Sequence, residues 1–331
     1  MTPSPAPRPP YDPELLAGAP VFPGAIDSPE PFAAYRARAQ PTAAGLAPLM
    51  AELGLAHTEA TVPLRGLPSM PDGAMTVSLI RPVDAPLTEA LPAVLDLHGG
   101  GMVFGNRFDS FLPEHLRWAA EHRLVLISPE YPLAPEHRAP AGGEACFAAL
   151  RWVEANAVEL GVDLARLIVA GVSGGAGLAA AVALQARDLG GPALLGQLLV
   201  CPMLDHTGST ASAAQFTVAR GVVDPWLQET NAYAWRMLLG DEPGEVHPYA
   251  SAWVADDLAG LPASYVDVGS AEVFRDADIA FAQRLLAAGV DTELHVWPGG
   301  FHGFDAVVPG AAVSRRAVAA RSAWLGRLLG P

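Results

Sequence analysis

Residues 167–184 read LIVAGVSGGAGLAAAVAL, eighteen positions without a charge, a length that would let one helix span a bilayer. The order of residue types inside the stretch argues otherwise. Four glycines and Ser173 interrupt it, its first part is aliphatic and β-branched, and its second is rich in Ala and Leu. A buried strand, a tight turn and a buried helix account for that order, so no membrane span is expected here.

Working outward, apolar runs of strand length recur at 93–97, 124–128, 167–170, 195–201, 264–268 and 293–297. Helical patterns lie between most of them, at 143–157, 177–187, 276–288 and 312–329. Upstream, 60–64 and 74–81 alternate like half-exposed strands across the turn signal Pro71-Asp72-Gly73, and 32–53 reads as one helical stretch. Such alternation predicts an α/β fold, a mostly parallel sheet with helices on both faces. The run from 206 to 247 breaks it, with helical patches, four aromatics (Phe216, Trp226, Tyr233, Trp235) and no strand pattern. The expected organisation is therefore an N-terminal arm over 1–55 that forms part of a cap and is Pro-rich and irregular over about its first thirty residues, a catalytic core over 56–205 and 248–331, and a cap insertion over 206–247.

Composition narrows the partners. The 331 residues hold 20 Lys+Arg against 35 Asp+Glu, a net charge of -15 that repels nucleic acid and anionic lipid surfaces. Hydrophobic and charged fractions of 51% and 17% exclude a disordered chain. Cys146 and Cys201 sit in apolar stretches and outside any C-x-x-C or Cys/His cluster, so neither a disulfide framework nor a zinc site is expected. The Pro-broken start, MTPSPAPRPPYDPELLAG, lacks the apolar core of a secretory signal, and a cytoplasmic location is expected.

Three short stretches carry chemistry. Gly171-Val172-Ser173-Gly174-Gly175 matches G-x-S-x-G between a strand (LIVA) and a helix (GLAAAVALQA), the context in which a strained turn exposes a nucleophilic serine. Alone it also fits a plain Gly-rich turn. His98-Gly99-Gly100-Gly101 follows the strand AVLDL and offers unblocked main-chain N–H groups, so Gly100, Gly101 and the N–H of Gly174 are the expected oxyanion donors. Gly300-Phe301-His302-Gly303-Phe304 lies after the last strand and before the last helix, where the general base falls in the order serine, acid, histidine. The acid must come from 265–278, where Glu272, Asp276 and Asp278 are on offer and Asp267 lies within the strand. Glu272 is preferred, because Asp276 and Asp278 fall in the first turn of a helix, where carboxylates favour the positive end of the dipole.

On these motifs the chain resembles the hormone-sensitive-lipase-like carboxylesterases of bacteria and archaea, over roughly residues 75–305. His98-Gly-Gly-Gly-Met-Val-Phe-Gly105 is similar to the HGGGF-type segment, with Met102 where an aromatic is usual. Tyr131-Pro-Leu-Ala-Pro-Glu-His-Arg-Ala-Pro140 resembles the Y-R-L-A-P-E-H-x-x-P loop, and Cys201-Pro-Met-Leu-Asp205 and Pro248-Tyr-Ala-Ser251 fall at further family stations. Two departures stand out. Val172 and Gly174 flank the serine where the family has Asp and Ala, and Glu272-Val-Phe-Arg-Asp276 replaces D-P-L-R-D.

The resemblance implies an α/β-hydrolase fold with an eight-stranded, mostly parallel sheet and a helical cap, no cofactor and no metal. It also implies a Ser173–His302–Glu272 triad acting on short- to medium-chain esters through an acyl-enzyme. Met102, Val172, Phe216 and Trp226 are the expected substrate-binding residues. The expected partner is a small-molecule ester, and self-association into a homodimer stays open. An amidase or deacetylase of an acylated metabolite would use the same machinery, and a silent small-molecule receptor would use the fold without the chemistry.

Overall fold

A computed structural model describes residues 7–22, 24–222 and 224–330. Residues 1–6 and 23 of the expected arm, residue 223 of the expected insertion and residue 331 of the expected core fall outside them.

The apolar runs become an eight-stranded sheet. Its strands are β1 (Leu55–Leu64), β2 (Gly73–Pro82), β3 (Leu91–Leu97), β4 (Val125–Pro129), β5 (Val162–Val172), β6 (Gly196–Val200), β7 (Ala263–Gly269) and β8 (Thr292–Trp297). They lie in the order β1-β2-β4-β3-β5-β6-β7-β8, antiparallel for β1 with β2 and β2 with β4, and parallel from β4 onward. The central strands are uniformly buried because both faces are covered. On β5, Leu167 and Val169 enter one hydrophobic cluster while Ile168, Ala170 and Val172 enter the other. This is the period-two alternation of a strand with apolar neighbours on each side.

Helices Ala141–Ala155, Gly174–Leu189, Arg275–Ala287 and Ala312–Leu329 match the periodic stretches to within a few residues at their ends. Three local expectations are corrected. The stretch 32–53 is two helices, Pro29–Arg36 and Ala43–Glu52, because Pro41 follows the first and Thr42 caps the second by accepting the Gly45 N–H at 3.3 Å. The arm is not irregular throughout. Asp12 caps a short helix, Pro13–Gly18, and buries Leu15 against Trp297, Phe301 and Phe304. Finally, helix Leu112–Glu121 was not expected; it starts with Pro113 in its first turn, and Asp109 accepts the N–H groups of Phe111 and Leu112 at 2.9 and 3.2 Å.

Described residues of 206–247 form helix Ala211–Gln215, a turn of 3₁₀ helix at Val218–Arg220, helix Gln228–Leu239 and no strand. They pack against the N-terminal segment. Thr230 Oγ1 accepts the Ile26 N–H at 2.9 Å, and the rings of Phe32 and Tyr233 lie 5.7 Å apart. No described helix is long and apolar enough to cross a membrane.

Candidate active site

Ser173 stands between β5 and helix Gly174–Leu189 with φ +56° and ψ -117°, a backbone conformation costly for a residue with a Cβ. Packing enforces it. A Cβ on Gly171 would lie 2.3 Å from the Gly175 carbonyl oxygen, and one on Gly175 would lie 2.0 Å from that of Leu97. Both outer glycines of the motif are thus demanded by close main-chain approach, and the turn is held from outside as the Ser173 N–H donates to Val200 O at 2.8 Å.

Three strand ends converge there. The imidazole of His302, in the loop after β8, places Nε2 2.9 Å from Ser173 Oγ and Nδ1 2.6 Å from Glu272 Oε2. Glu272, after β7, is fully buried, and its other oxygen accepts the Gly269 N–H at 2.7 Å. Burial works against the charged imidazole, but the adjoining Glu272 carboxylate outweighs it, and His302 is held above the ordinary histidine range.

Main-chain N–H groups face the serine from the other side. Gly100 and Gly101 adopt φ +104° and +62°, and the Gly100 carbonyl turns back to accept from Val103 and Phe104. Among the described residues the N–H groups of Gly100 and Gly101 meet no acceptor, and that of Gly174, first in its helix, has no intrahelical one. The two segments touch, since a Cβ on Gly174 would lie 2.7 Å from Gly101 Cα. Asp109 fixes the loop by accepting the Gly99 N–H at 2.7 Å, and Tyr131 fixes it by donating to His98 O at 2.7 Å and stacking on the His98 ring at 4.0 Å. These supports were not read from the sequence. An Asp shortly before a Leu-Pro helix start was the available signal for Asp109.

None of the other acids in the described residues 265–278 bonds to the imidazole. Asp276 accepts the Ser212 N–H at 2.7 Å and pairs with Arg275, Asp267 pairs with the buried Arg321, and Asp278 is fully buried in the helix Arg275–Ala287. Cys201, Glu272 and His302 place potential metal-ligand atoms within 4.8 Å of one another. Glu272 and His302 already satisfy each other there, and burial pushes the Cys201 thiol well up, which disfavours the thiolate a metal would need.

A cavity of about 540 Å³ opens onto Ser173 and His302. Its walls include Phe22 and Tyr35 from the N-terminal segment, Phe104 and Phe111 from the loop after β3, and Trp226 from the insertion. Of the expected substrate contacts, Trp226 lines this space and Met102, Val172 and Phe216 do not. Val172 points into the core beneath the sheet, Met102 packs towards Gly177, and Phe216 is fully buried beside Tyr11. A larger groove between helices Leu112–Glu121 and Ala312–Leu329 meets this cavity at Ser110, Phe111 and Ala306 but is not lined by Ser173, Glu272 or His302.

The architecture has known relatives. A family model described as alpha/beta hydrolase fold matches residues 94–306. Over 313 residues the chain is 34% identical to the carboxylesterase NlhH of Mycobacterium tuberculosis, covering 92% of this chain and 93% of the relative. Among solved structures, a bacterial heroin esterase superposes with TM-score 0.82 at 34% identity, covering 97% of this chain and 98% of the other. The esterase LipW of Mycobacterium marinum gives 0.84 at 32% identity, covering 98% and 99%. With a strand-elbow-helix serine, an HGGG loop and a matched span that takes in both, the chain belongs to the α/β-hydrolase fold family, among the hormone-sensitive-lipase-like carboxylesterases.

Proposed function

We propose that Ser173 is the nucleophile, His302 the general base and Glu272 the orienting acid, with the N–H groups of Gly100, Gly101 and Gly174 as the oxyanion hole. The reaction is carboxylic-ester hydrolysis. What carries the assignment is one chain of contacts, 2.9 Å from Ser173 Oγ to His302 Nε2 and 2.6 Å from Nδ1 to Glu272, set beside unpaired N–H donors.

In this mechanism Ser173 Oγ attacks the ester carbonyl as its proton passes to His302 Nε2. The carbonyl oxygen, now an anion, is held by the three N–H groups, and the buried Glu272 carboxylate steadies the imidazolium. His302 then returns the proton to the leaving alcohol. Water repeats the sequence on the acyl-enzyme, and the acid is released.

The N-terminal segment and residues 206–247 act together as the cap. Their packing on each other and their aromatic contribution to the cavity wall support this reading, and an apolar wall of that size favours short- to medium-chain acyl or aryl groups. A series of p-nitrophenyl esters of rising chain length, run beside matched anilides, tests the assignment. Turnover should be confined to the esters and peak at short to medium chains, and a fluorophosphonate should label Ser173. Faster cleavage of the anilides would identify an amidase, and labelling of another residue would remove the nucleophile assignment.

A further inference from the structure

A carboxylate outside the triad also reaches the catalytic histidine. Asp224, in the 206–247 insertion, is 2% exposed and lies at the meeting point of three chain segments. Its Oδ1 accepts the N–H of Trp226 at 3.1 Å and Tyr11 of the N-terminal segment donates to its Oδ2 at 3.5 Å; the Trp226 ring lies 6.3 Å from the His302 ring between centroids, and the His302 main-chain N–H is near enough to favour the Asp224 charge. The Tyr11 ring is wedged between Phe216 and Phe301, at 6.4 and 6.3 Å between centroids, and Phe301 immediately precedes His302.

We infer that Asp224 is a positioning residue of the catalytic histidine, holding the His302 main chain from the cap and supporting with its charge the imidazolium that forms when Ser173 gives up its proton. The inference rests on the triad reading above and deepens it. It also gives the cap a part in catalysis, since the support of the base comes from the insertion through Asp224 and from the N-terminal segment through Tyr11.

The bland alternative is a turn-forming Asp that caps Trp226. Such a turn occupies one oxygen and needs no burial. Asp224 is buried with both oxygens engaged, and among the described residues it forms an ion pair with no Arg or Lys. The cation that compensates it is His302. Burial pushes the Asp224 carboxyl up to about 7, against the pull of the Trp226 N–H and the His302 charge, so its charge responds to the protonation of the base.

The groups that bear on this pair come from every element around it. They are Glu272 after β7, Cys201 after β6, Asp305 in the turn after His302, itself clamped by the buried Arg321, and Tyr11 with Arg8 stacked on its ring. All of them remain in an Asp224 variant, so a change in the titration of the base isolates Asp224.

The test is the pH profile of kcat/KM for a p-nitrophenyl ester with wild type, Asp224→Asn and Asp224→Glu, alongside melting temperatures at pH 8. Removing the charge should move the acid limb to lower pH by about half a unit and lower kcat about tenfold with KM little changed. Asp224→Glu should keep the limb near its wild-type position. Stability should move the other way. A buried carboxyl with a raised pKa costs stability as pH climbs from the ordinary carboxyl range through about 7, and Asn abolishes that cost, so Asp224→Asn should melt no lower than wild type at pH 8. If the Asn variant does not fold, Asp224→Ser, which keeps an acceptor without charge, is read in the same way. An unmoved acid limb, or equal shifts in the Asn and Glu variants, overturns the inference. A wild type without esterase turnover, or full turnover in Ser173→Ala, would instead overturn the triad reading beneath it.

Discussion

Glu272 holds His302 with one oxygen, 2.6 Å from Nδ1, and is itself held by the Gly269 N–H on the other, at 2.7 Å. Gly269 ends β7, so the orientation of the imidazole is referred directly to the sheet. The length of the side chain matters to this arrangement. Shortening it to Asp retracts the carboxylate by one carbon–carbon bond, roughly 1.5 Å, which loses one of the two contacts.

From this follows a paired comparison. Glu272→Gln should lower kcat by roughly 10³- to 10⁴-fold, because an amide neither fixes the reactive tautomer nor stabilises the imidazolium. Asp276→Asn should act on melting temperature instead, since Asp276 joins Arg275 to the start of helix Ala211–Gln215 through the Ser212 N–H. Assayed side by side, near-normal kcat in the first with collapse in the second would transfer the role to Asp276.

Ser173→Ala removes a hydroxyl from a turn whose strained φ of +56° Ala shares with Ser, so the cost in stability should be small. The rate should fall on the order of 10⁴-fold or more, leaving what the oxyanion donors and substrate binding supply on their own. Retention of more than a few per cent of wild-type kcat in a preparation free of other esterases would show a different nucleophile.

The raised pKa of His302 sets a pH dependence for activity and another for stability. As a base the imidazole must be neutral, so kcat/KM should fall on acidification with a limb above the ordinary histidine range, near 6.5, and Glu272→Gln should bring that limb down. The folded pKa exceeds the unfolded one. The pair's stabilisation is therefore fully present below the unfolded value and lost as pH rises through the folded one. The melting-temperature difference between wild type and Glu272→Gln should accordingly narrow as pH rises above the ordinary histidine range. A difference that widens would mean the folded state lowers the imidazole pKa instead of raising it.

These features differ in how far the sequence displays them. The elbow, the HGGG loop and the histidine loop are local patterns, each a strand end followed by glycines, and the sheet edge that gathers them follows from the parallel order of the strands. Where a residue's role depends on distant chain, the signal disappears. Tyr11 and Asp224 meet across 213 positions, and nothing near either one marks the meeting. Phe216 shows the same limit from the other side, since an aromatic in the run 206–247 reads equally as pocket wall or as core, and only the packing against Tyr11 decides. Helix Leu112–Glu121 escaped because its buried face carries His115 and Trp118, stacked at 4.1 Å with His115 paired to Asp96, and breaks the aliphatic period.

The residue after Ser173 offers the sharpest test of the proposed oxyanion geometry. The family usually has Ala there and this chain has Gly174, and the oxyanion loop has closed into the space a methyl group would occupy. A Cβ at Gly174 would lie 2.7 Å from both Gly101 Cα and Met102 N, which are main-chain atoms and have no rotamer to yield. Gly101 cannot simply retreat, because its own hydrogen atoms face the Trp226 ring, where a Cβ would come within 2.4 Å of Cη2. Gly174→Ala should therefore push the 100–102 main chain off the line to the carbonyl oxygen. Removing one oxyanion donor elsewhere costs on the order of 10²- to 10³-fold in kcat, and a displaced donor should cost less, about tenfold, with KM nearly unchanged because the loss falls on the transition state. Trp226→Ala opens the space behind Gly101, so the double variant Gly174→Ala/Trp226→Ala should recover part of the lost kcat. Full activity in Gly174→Ala alone would show that the loop moves freely, and absence of any recovery in the double variant would show that Trp226 is not what confines it.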